Sequence, residues 1–367
     1  MSSESPHVVW LEDCGPSDVA RVGAKNARLG EMIHVGMPVP PGFAIATSAF
    51  KMLLARYGLD SAVRVRLSQA DVRDLHALAE ISSELRGCIE SMPLAAELEE
   101  VIGGAYLALC GRQGLTDMPV AVRSSAIAED LPGASFAGQH DTFLWIRGVG
   151  PLLRHVRKCW SSLFNARAIA YRAERGVPIE QVDMSVAIQK MVDARAAGVA
   201  CTLNPINGDA SKIAIDACWG LGQAVANGEV TPDNYLVDKV VVEIARRTIS
   251  TKQVEYALDA EAAEVARRQV PADRQAIPCL DDEEVVGIAR LARRIEVHYG
   301  EPQDIEWAID AHLPPTSNIL VLQTRPETAW SRRARRPLGE GRSSRVEGVL
   351  ATLLRPLKPG DPKGERP

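Results

Sequence analysis

Apolar positions in residues 17–36 recur at helical spacing, with Val22, Leu29, Met32 and Ile33 on one stripe, so this segment is predicted to be a helix preceded by a loop. Met37-Pro38-Val39-Pro40-Pro41-Gly42 ends it, because three prolines within four residues cannot continue a helix. Phe43–Thr47 alternates as a strand. Residues 48–113 return to a helical pattern, with Leu53, Leu54, Leu85 and Ile89 as core positions. Near Pro119 the character changes. Val120–Arg123 and Thr142–Ile146 read as strands around a Gly/Ser-containing loop, and one long helix is predicted over Gly150–Arg175. Strand-like runs follow at Met184–Met191, Gly198–Leu203, Lys212–Cys218 and Asn234–Ala245. Residues 281–299 are helical again through Val285, Val286, Ile288, Leu291 and Ile295. Strands and helices in separate blocks predict an α+β fold rather than a doubly wound parallel sheet.

The last two strands carry the most chemistry. Asp304–Ile309 and Ile319–Pro326 flank Pro314-Pro315. An antiparallel pairing centred on that dipeptide sets Glu306 opposite Gln323 and Asp304 opposite Arg325. Period-2 alternation then puts Gln323 and Arg325 on one face and Trp307, Ile309, Leu320 and Leu322 on the other. A carboxylate, an amide oxygen and a guanidinium on one polar face suit a Mg²⁺-bound polyphosphate; a solvated face with a Glu–Arg contact is the plainer alternative. Arg123 closes an apolar strand, a position with little structural purpose unless an anion or carboxylate meets it. The loop behind it has small residues at Gly133, Ala134, Ser135, Ala137 and Gly138, so its backbone can approach phosphate closely. Gly23-Ala24-Lys25-Asn26 places an ammonium near a helix start, yet the P-loop pattern GxxxxGK[ST] occurs nowhere.

Composition narrows the class. The 367 residues are 46% hydrophobic and 24% charged, which excludes collagen-like, disordered and disulfide-scaffold chains. A net charge of −5 argues against a nucleic-acid partner, and no apolar run reaches membrane-spanning length. Seven cysteines without a CxxC pair read as buried reduced thiols, and no Cys/His cluster has zinc-ligand spacing. With no secretory leader pattern at the N-terminus, a cytoplasmic protein is expected. Residues 331–367 differ from the rest, carrying ten Lys/Arg against four Asp/Glu and one apolar patch, Val346–Leu354.

Taken in order, Val22–Met32, Val39-Pro40-Pro41-Gly42-Phe43, Ala121–Ala126, Glu129-Asp130, Ser135–Gln139, Ile188–Val192, Gly198-Val199-Ala200, Asn204-Pro205, Trp219–Gly222, Asp304–Ala308 and Gln323–Pro326 resemble the nucleotide-binding part of the phosphoenolpyruvate synthase / pyruvate phosphate dikinase family. The resemblance spans roughly residues 10–330 and implies an ATP-grasp fold, two α+β lobes clamping ATP and Mg²⁺. It divides the matched residues into a lobe at 1–190 and a lobe at 191–330; the basic tail at 331–367 lies beyond it, and its charge and apolar patch suit either a partner-docking segment or a solvated tail. It also implies roles. Lys25 and Arg123 hold phosphates beneath the Gly133–Gly138 loop, including Ala134 and Ser135. Gln189, Lys190 and Met191 border the adenine, Glu306 and Gln323 hold Mg²⁺, and Arg325 stabilises the transferred group.

Two residues depart from the family pattern: Gln223 stands where a glutamate is usual, and Gly-Ala-Lys-Asn replaces Gly-Gly-Lys. The larger departure is the carrier histidine. None of His7, His34, His76, His140, His155, His298 and His312 lies in a Thr-Ser-His-Ala-Ala type motif. The expectation is therefore one subunit of a split phosphotransferase, inactive alone. It would form AMP and phosphate while phosphorylating a histidine on a partner's swivelling domain, with a phenol or cresol as final acceptor. The competing readings are a self-contained ATP-grasp ligase or kinase and a non-catalytic nucleotide sensor.

Overall fold

In the computed structural model, residues 6–68, 74–127, 141–175, 183–259 and 264–330 are described. The first part runs β1 (Val8–Trp10), α1 (Val19–His34), β2 (Gly42–Ile45), α2 (Thr47–Arg56), α3 (Leu59–Ser68), α4 (Leu75–Ser91), α5 (Ala96–Arg112), β3 (Val120–Ala126), β4 (Thr142–Ile146), α6 (Val149–Ser161), α7 (Ala166–Arg175) and β5 (Met184–Lys190). The second runs β6 (Ala194–Cys201), β7 (Lys212–Trp219), α8 (Gln223–Ala226), β8 (Asp233–Asp238), β9 (Ile244–Thr248), β10 (Val254–Asp259), β11 (Glu264–Gln269), α9 (Ala272–Gln275), α10 (Asp282–Tyr299), β12 (Gln303–Asp310) and β13 (Ile319–Pro326). The strands pair antiparallel, which with helices in blocks makes the fold α+β.

The first sheet has the order β1-β2-β5-β3-β4 and the second β13-β12-β6-β7-β8-β9, with β10 and β11 a separate hairpin. Both sheets lie within one compact unit, Met1–Glu327. Alternation along β3 and β5 sends Val120, Val122, Val186 and Ile188 into a core shared with the helices α2, α4, α5 and α6. The second core joins α1, through Val22, Leu29 and Met32, to α10 and to Ile305, Trp307 and Val321. Helix α1 thus packs on both sheets, and it fixes how β3 of the first meets β12 and β13 of the second.

Two elements differ from the sequence pattern. The predicted helix over Gly150–Arg175 is broken between α6 and α7, where Asn165 is extended (φ −65°, ψ 148°) and its Oδ1 accepts the Ala168 N–H at 2.7 Å. An asparagine cap starts a new helix there. The run Asn234–Ala245 is two strands, β8 and the start of β9, joined by a turn in which Val242 has φ 56°.

A fully buried ion pair joins the start of β8 to the segment just before β10. Lys252 Nζ donates to Asp233 Oδ1 at 2.6 Å and to the Ser250 carbonyl at 2.8 Å. The same carboxylate accepts the backbone N–H groups of Ser250 and Cys279, at 2.9 and 3.0 Å. Removing one member leaves an uncompensated buried charge. Asp233→Ala is expected to lower the unfolding free energy by about 3–5 kcal/mol in urea titrations.

Candidate functional site

The geometry converges on Arg123. It leaves β3 on the face opposite the helical core and reaches the other sheet. There Nη2 donates to Glu306 Oε2 at 2.9 Å and to Gln323 Oε1 at 3.0 Å, while Nη1 donates to the Leu322 carbonyl at 3.0 Å. The Arg123 side chain is 16% exposed and that of Glu306 46%. This is a charge-assisted cluster, reachable by solvent on the carboxylate side.

The strand pair explains why these groups meet. Asp304 faces Arg325 and Glu306 faces Gln323, the register that the Pro314-Pro315 centre predicts. After Glu306 the register slips, so that Trp307 faces Val321 and Leu322 has no opposite residue. This bulge corrects the expected faces. Leu320 and Leu322 do not share the core of Trp307 and Ile309; they pack with Val192, Ala197 and Ala308. The extra residue on β13 leaves Leu322 without a partner on β12, and its carbonyl accepts Arg123.

Lys25 is brought alongside. Helix α1 is kinked at Gly23 (φ 76°, ψ 160°), so Lys25 stands in the first turn after the kink. Its Nζ donates to the carbonyl of Ser124, the residue after Arg123, at 3.3 Å. A Cβ at position 23 would lie 2.3 Å from Ser125 Oγ and 2.4 Å from its carbonyl, so only glycine permits this approach. The neighbouring Asn26 side chain donates to Val22 O and Ser185 Oγ, which locks α1 onto β5.

Arg325 lies two residues from Gln323 but is held by Asp304, its Nε 3.3 Å from Oδ2. Asp304 in turn accepts the Cys201 thiol at 2.9 Å; burial, and then the Asp304 charge, push that thiol's pKa up. Gln189 is buried and donates to the Pro40 carbonyl at 3.2 Å, so its side chain serves the fold. Lys190 donates to Gln113 at 3.2 Å, and the backbone N–H groups of Lys190 and Met191 already bond Pro41 and Pro119. Gly133, Ala134, Ser135 and Gly138 lie outside the described residues, as does 331–367.

The sequence pattern missed an apolar cluster next to this site. Ala121, two residues from Arg123, packs with Trp145, Met191 and Leu221, flanked by Leu144, Tyr256, Leu258 and Val265. The hairpin reaches it because Leu221 N–H donates to the Tyr256 carbonyl at 2.8 Å. A Cβ at Gly220 would sit 2.3 Å from that same oxygen. Trp145 is buried at φ 58°, and its indole N–H has no hydrogen-bond partner among the described residues. Such strain and lack of pairing are concentrated at ligand sites. Ala121, Met191 and Leu221 lie in three separate sequence motifs, Ala121–Ala126, Ile188–Val192 and Trp219–Gly222, while nothing in the pattern points to Trp145.

Two oxygens, from Glu306 and Gln323, already converge on a single cationic nitrogen. That donor set fits Mg²⁺, which takes one or two protein oxygens and fills its octahedron from phosphate and water. Among the described residues, no group of three or more His, Cys, Asp or Glu is placed to hold a metal, and no helix is long and apolar enough to cross a membrane.

Residues 19–345 match the family described as "Pyruvate phosphate dikinase, AMP/ATP-binding domain". Among curated proteins, the chain is 40% identical to a probable phosphoenolpyruvate synthase of Staphylothermus marinus, over 97% of this chain and 45% of that protein. It is 38% identical to the phosphoenolpyruvate synthase of Aeropyrum pernix (89% and 43%) and 36% to that of Pyrococcus furiosus (89% and 44%). The chain spans less than half the length of these relatives.

Because Arg123 and Glu306 join the two sheets, their interaction is measurable as stability. A double-mutant cycle with Arg123→Ala and Glu306→Gln, followed by urea unfolding, is expected to give a coupling of about 0.5–1 kcal/mol, modest because the carboxylate is half-exposed. Additive effects would mean that the pair does not tie the sheets.

Proposed function

The chain belongs to the pyruvate phosphate dikinase AMP/ATP-binding family, and from that premise we propose that it binds ATP with Mg²⁺ in an ATP-grasp cleft between its two sheets, as the nucleotide-binding part of a dikinase-type phosphotransferase. The observation that carries this reading is the convergence of Arg123, Glu306 and Gln323 from opposite sheets on one point. The lobes divide near residue 190, where β5 hands over to β6.

The roles follow from the chemistry. The purine lies in the apolar cluster of Ala121, Met191, Leu221 and Trp145, beside the chain crossing at 191–193. Lys25 and Arg123 contact the phosphates, with the loop 133–138 over them, and Glu306 and Gln323 hold the metal. Mg²⁺, when bound, offsets the charge that spreads over the phosphoryl oxygens. Arg325, released from Asp304, is positioned to add to that stabilisation.

Of the products, AMP and phosphate fit the family. The phosphoryl group passes to a histidine on a swivelling domain of a partner subunit, which carries it to a small hydroxyl acceptor such as a phenol or cresol. None of the seven histidines sits in a carrier motif, which supports an acceptor outside these residues. Residues 331–367, with a net charge of +6 (ten basic minus four acidic), are the proposed docking segment for that partner.

Three outcomes test the reading. A non-hydrolysable ATP analogue with Mg²⁺, at about a hundred times its dissociation constant, is expected to add about 2.7 kcal/mol of stability. Arg123→Ala is expected to cost about 1.5–3 kcal/mol of nucleotide affinity by calorimetry. No stabilisation at millimolar nucleotide contradicts nucleotide binding. Separately, AMP is expected to form only when a histidine-carrying partner domain is supplied. Steady ADP formation by the chain alone contradicts the dikinase reading.

A further inference from the structure

At the centre of the proposed site, the Glu306 and Gln323 side chains are both bonded to Arg123. Arg123 Nη2 sits 2.9 Å from Glu306 Oε2 and 3.0 Å from Gln323 Oε1, at the point on which both oxygens converge. A divalent cation drawn to those oxygens must displace the guanidinium. A phosphate drawn to the guanidinium must separate it from the oxygens.

Each ligand alone makes a poor exchange. Free nucleotide that captures Arg123 leaves the Glu306 carboxylate unpaired beside the negatively charged phosphates. Free metal that captures Glu306 and Gln323 leaves the guanidinium of a mostly buried arginine, tied on its other side to the Leu322 carbonyl, facing a dication. When metal and phosphate arrive together, every charge regains a partner: the cation takes the two oxygens and the phosphate takes the arginine. From this geometry we infer that the Arg123–Glu306–Gln323 contact selects the metal–nucleotide complex over either component, by making each displacement favourable only with the other. The selection rests on the functional reading above and adds a specificity role for Gln323, a neutral residue whose amide oxygen competes for Arg123.

The consequence runs against the ordinary expectation for metal ligands. Weakening the oxygen pair lowers affinity for the Mg²⁺ complex but raises affinity for metal-free nucleotide, because Arg123 is then easier to recruit. The size of the gain is bounded by the worth of a half-exposed ion pair. The wild type, Glu306→Gln and Gln323→Ala are titrated by calorimetry with a non-hydrolysable ATP analogue, once in Mg²⁺ and once in EDTA. Melting temperatures confirm that each variant is folded.

In EDTA, Glu306→Gln is expected to bind about three- to fivefold more tightly than wild type and Gln323→Ala about twofold more tightly, while both lose most of the enhancement that Mg²⁺ gives the wild type. Gln323→Ala is the decisive arm, since it alters no charge. A gain in Glu306→Gln alone would be simple removal of a repelling carboxylate and overturns the inference, as does no gain in either. Wild type that binds the analogue equally well with and without Mg²⁺ overturns it while leaving nucleotide binding intact. Wild type that binds in neither condition overturns the functional reading as well.

Discussion

A single arginine spans the two halves of this molecule. Arg123 leaves the middle of β3, a strand whose alternate residues are buried under helices, and it is satisfied by acceptors from the other sheet. An arginine whose side chain is only 16% exposed must have its charge paired, so the position of β3 relative to β12 and β13 is constrained by chemistry as well as by apolar packing. Helix α1 supplies the apolar part of the same constraint, since its buried stripe belongs to the core under the second sheet while Asn26 bonds Ser185 of the first.

Local backbone devices aim the site. The bulge after Glu306 costs β13 one ladder position at Leu322, whose carbonyl it offers to Arg123. The kink at Gly23 lets α1 approach Ser125 closely enough for Lys25 to reach the Ser124 carbonyl. At Gly220, the absence of a side chain lets the β10–β11 hairpin bond directly to the segment after β7, and this carries Tyr256 and Leu258 to the apolar cluster of Ala121, two residues from Arg123. In each case the unusual backbone lies within a few residues of a group that the proposed chemistry uses.

The legible parts of the sequence are those with local cause. Period-2 alternation and a central Pro-Pro pair are enough to set Glu306 opposite Gln323 and Asp304 opposite Arg325, and the α+β class follows from the spacing of strands and helices. The bulge leaves no mark in the sequence, because Val321-Leu322 alternates no differently from a regular strand; Leu320 and Leu322 were therefore expected on the wrong face. The β10–β11 hairpin escaped because its residues are mostly half-buried or exposed, so its polar pattern is weak. The Trp145 cluster draws on segments scattered between residues 121 and 265, and no window of sequence brings those together. The bonds that occupy Arg123 are likewise visible only once the two sheets meet.

The central claim is that one cationic point changes hands between the protein's own arginine and a metal. A crystal structure of the chain with Mg²⁺ and a non-hydrolysable ATP analogue tests this most directly. The account predicts Mg²⁺ coordinated by the Glu306 and Gln323 oxygens, with the Arg123 guanidinium turned away from them and onto a phosphate oxygen. A nucleotide bound elsewhere, or bound in this cleft while Arg123 still donates to Glu306 and Gln323, would contradict it.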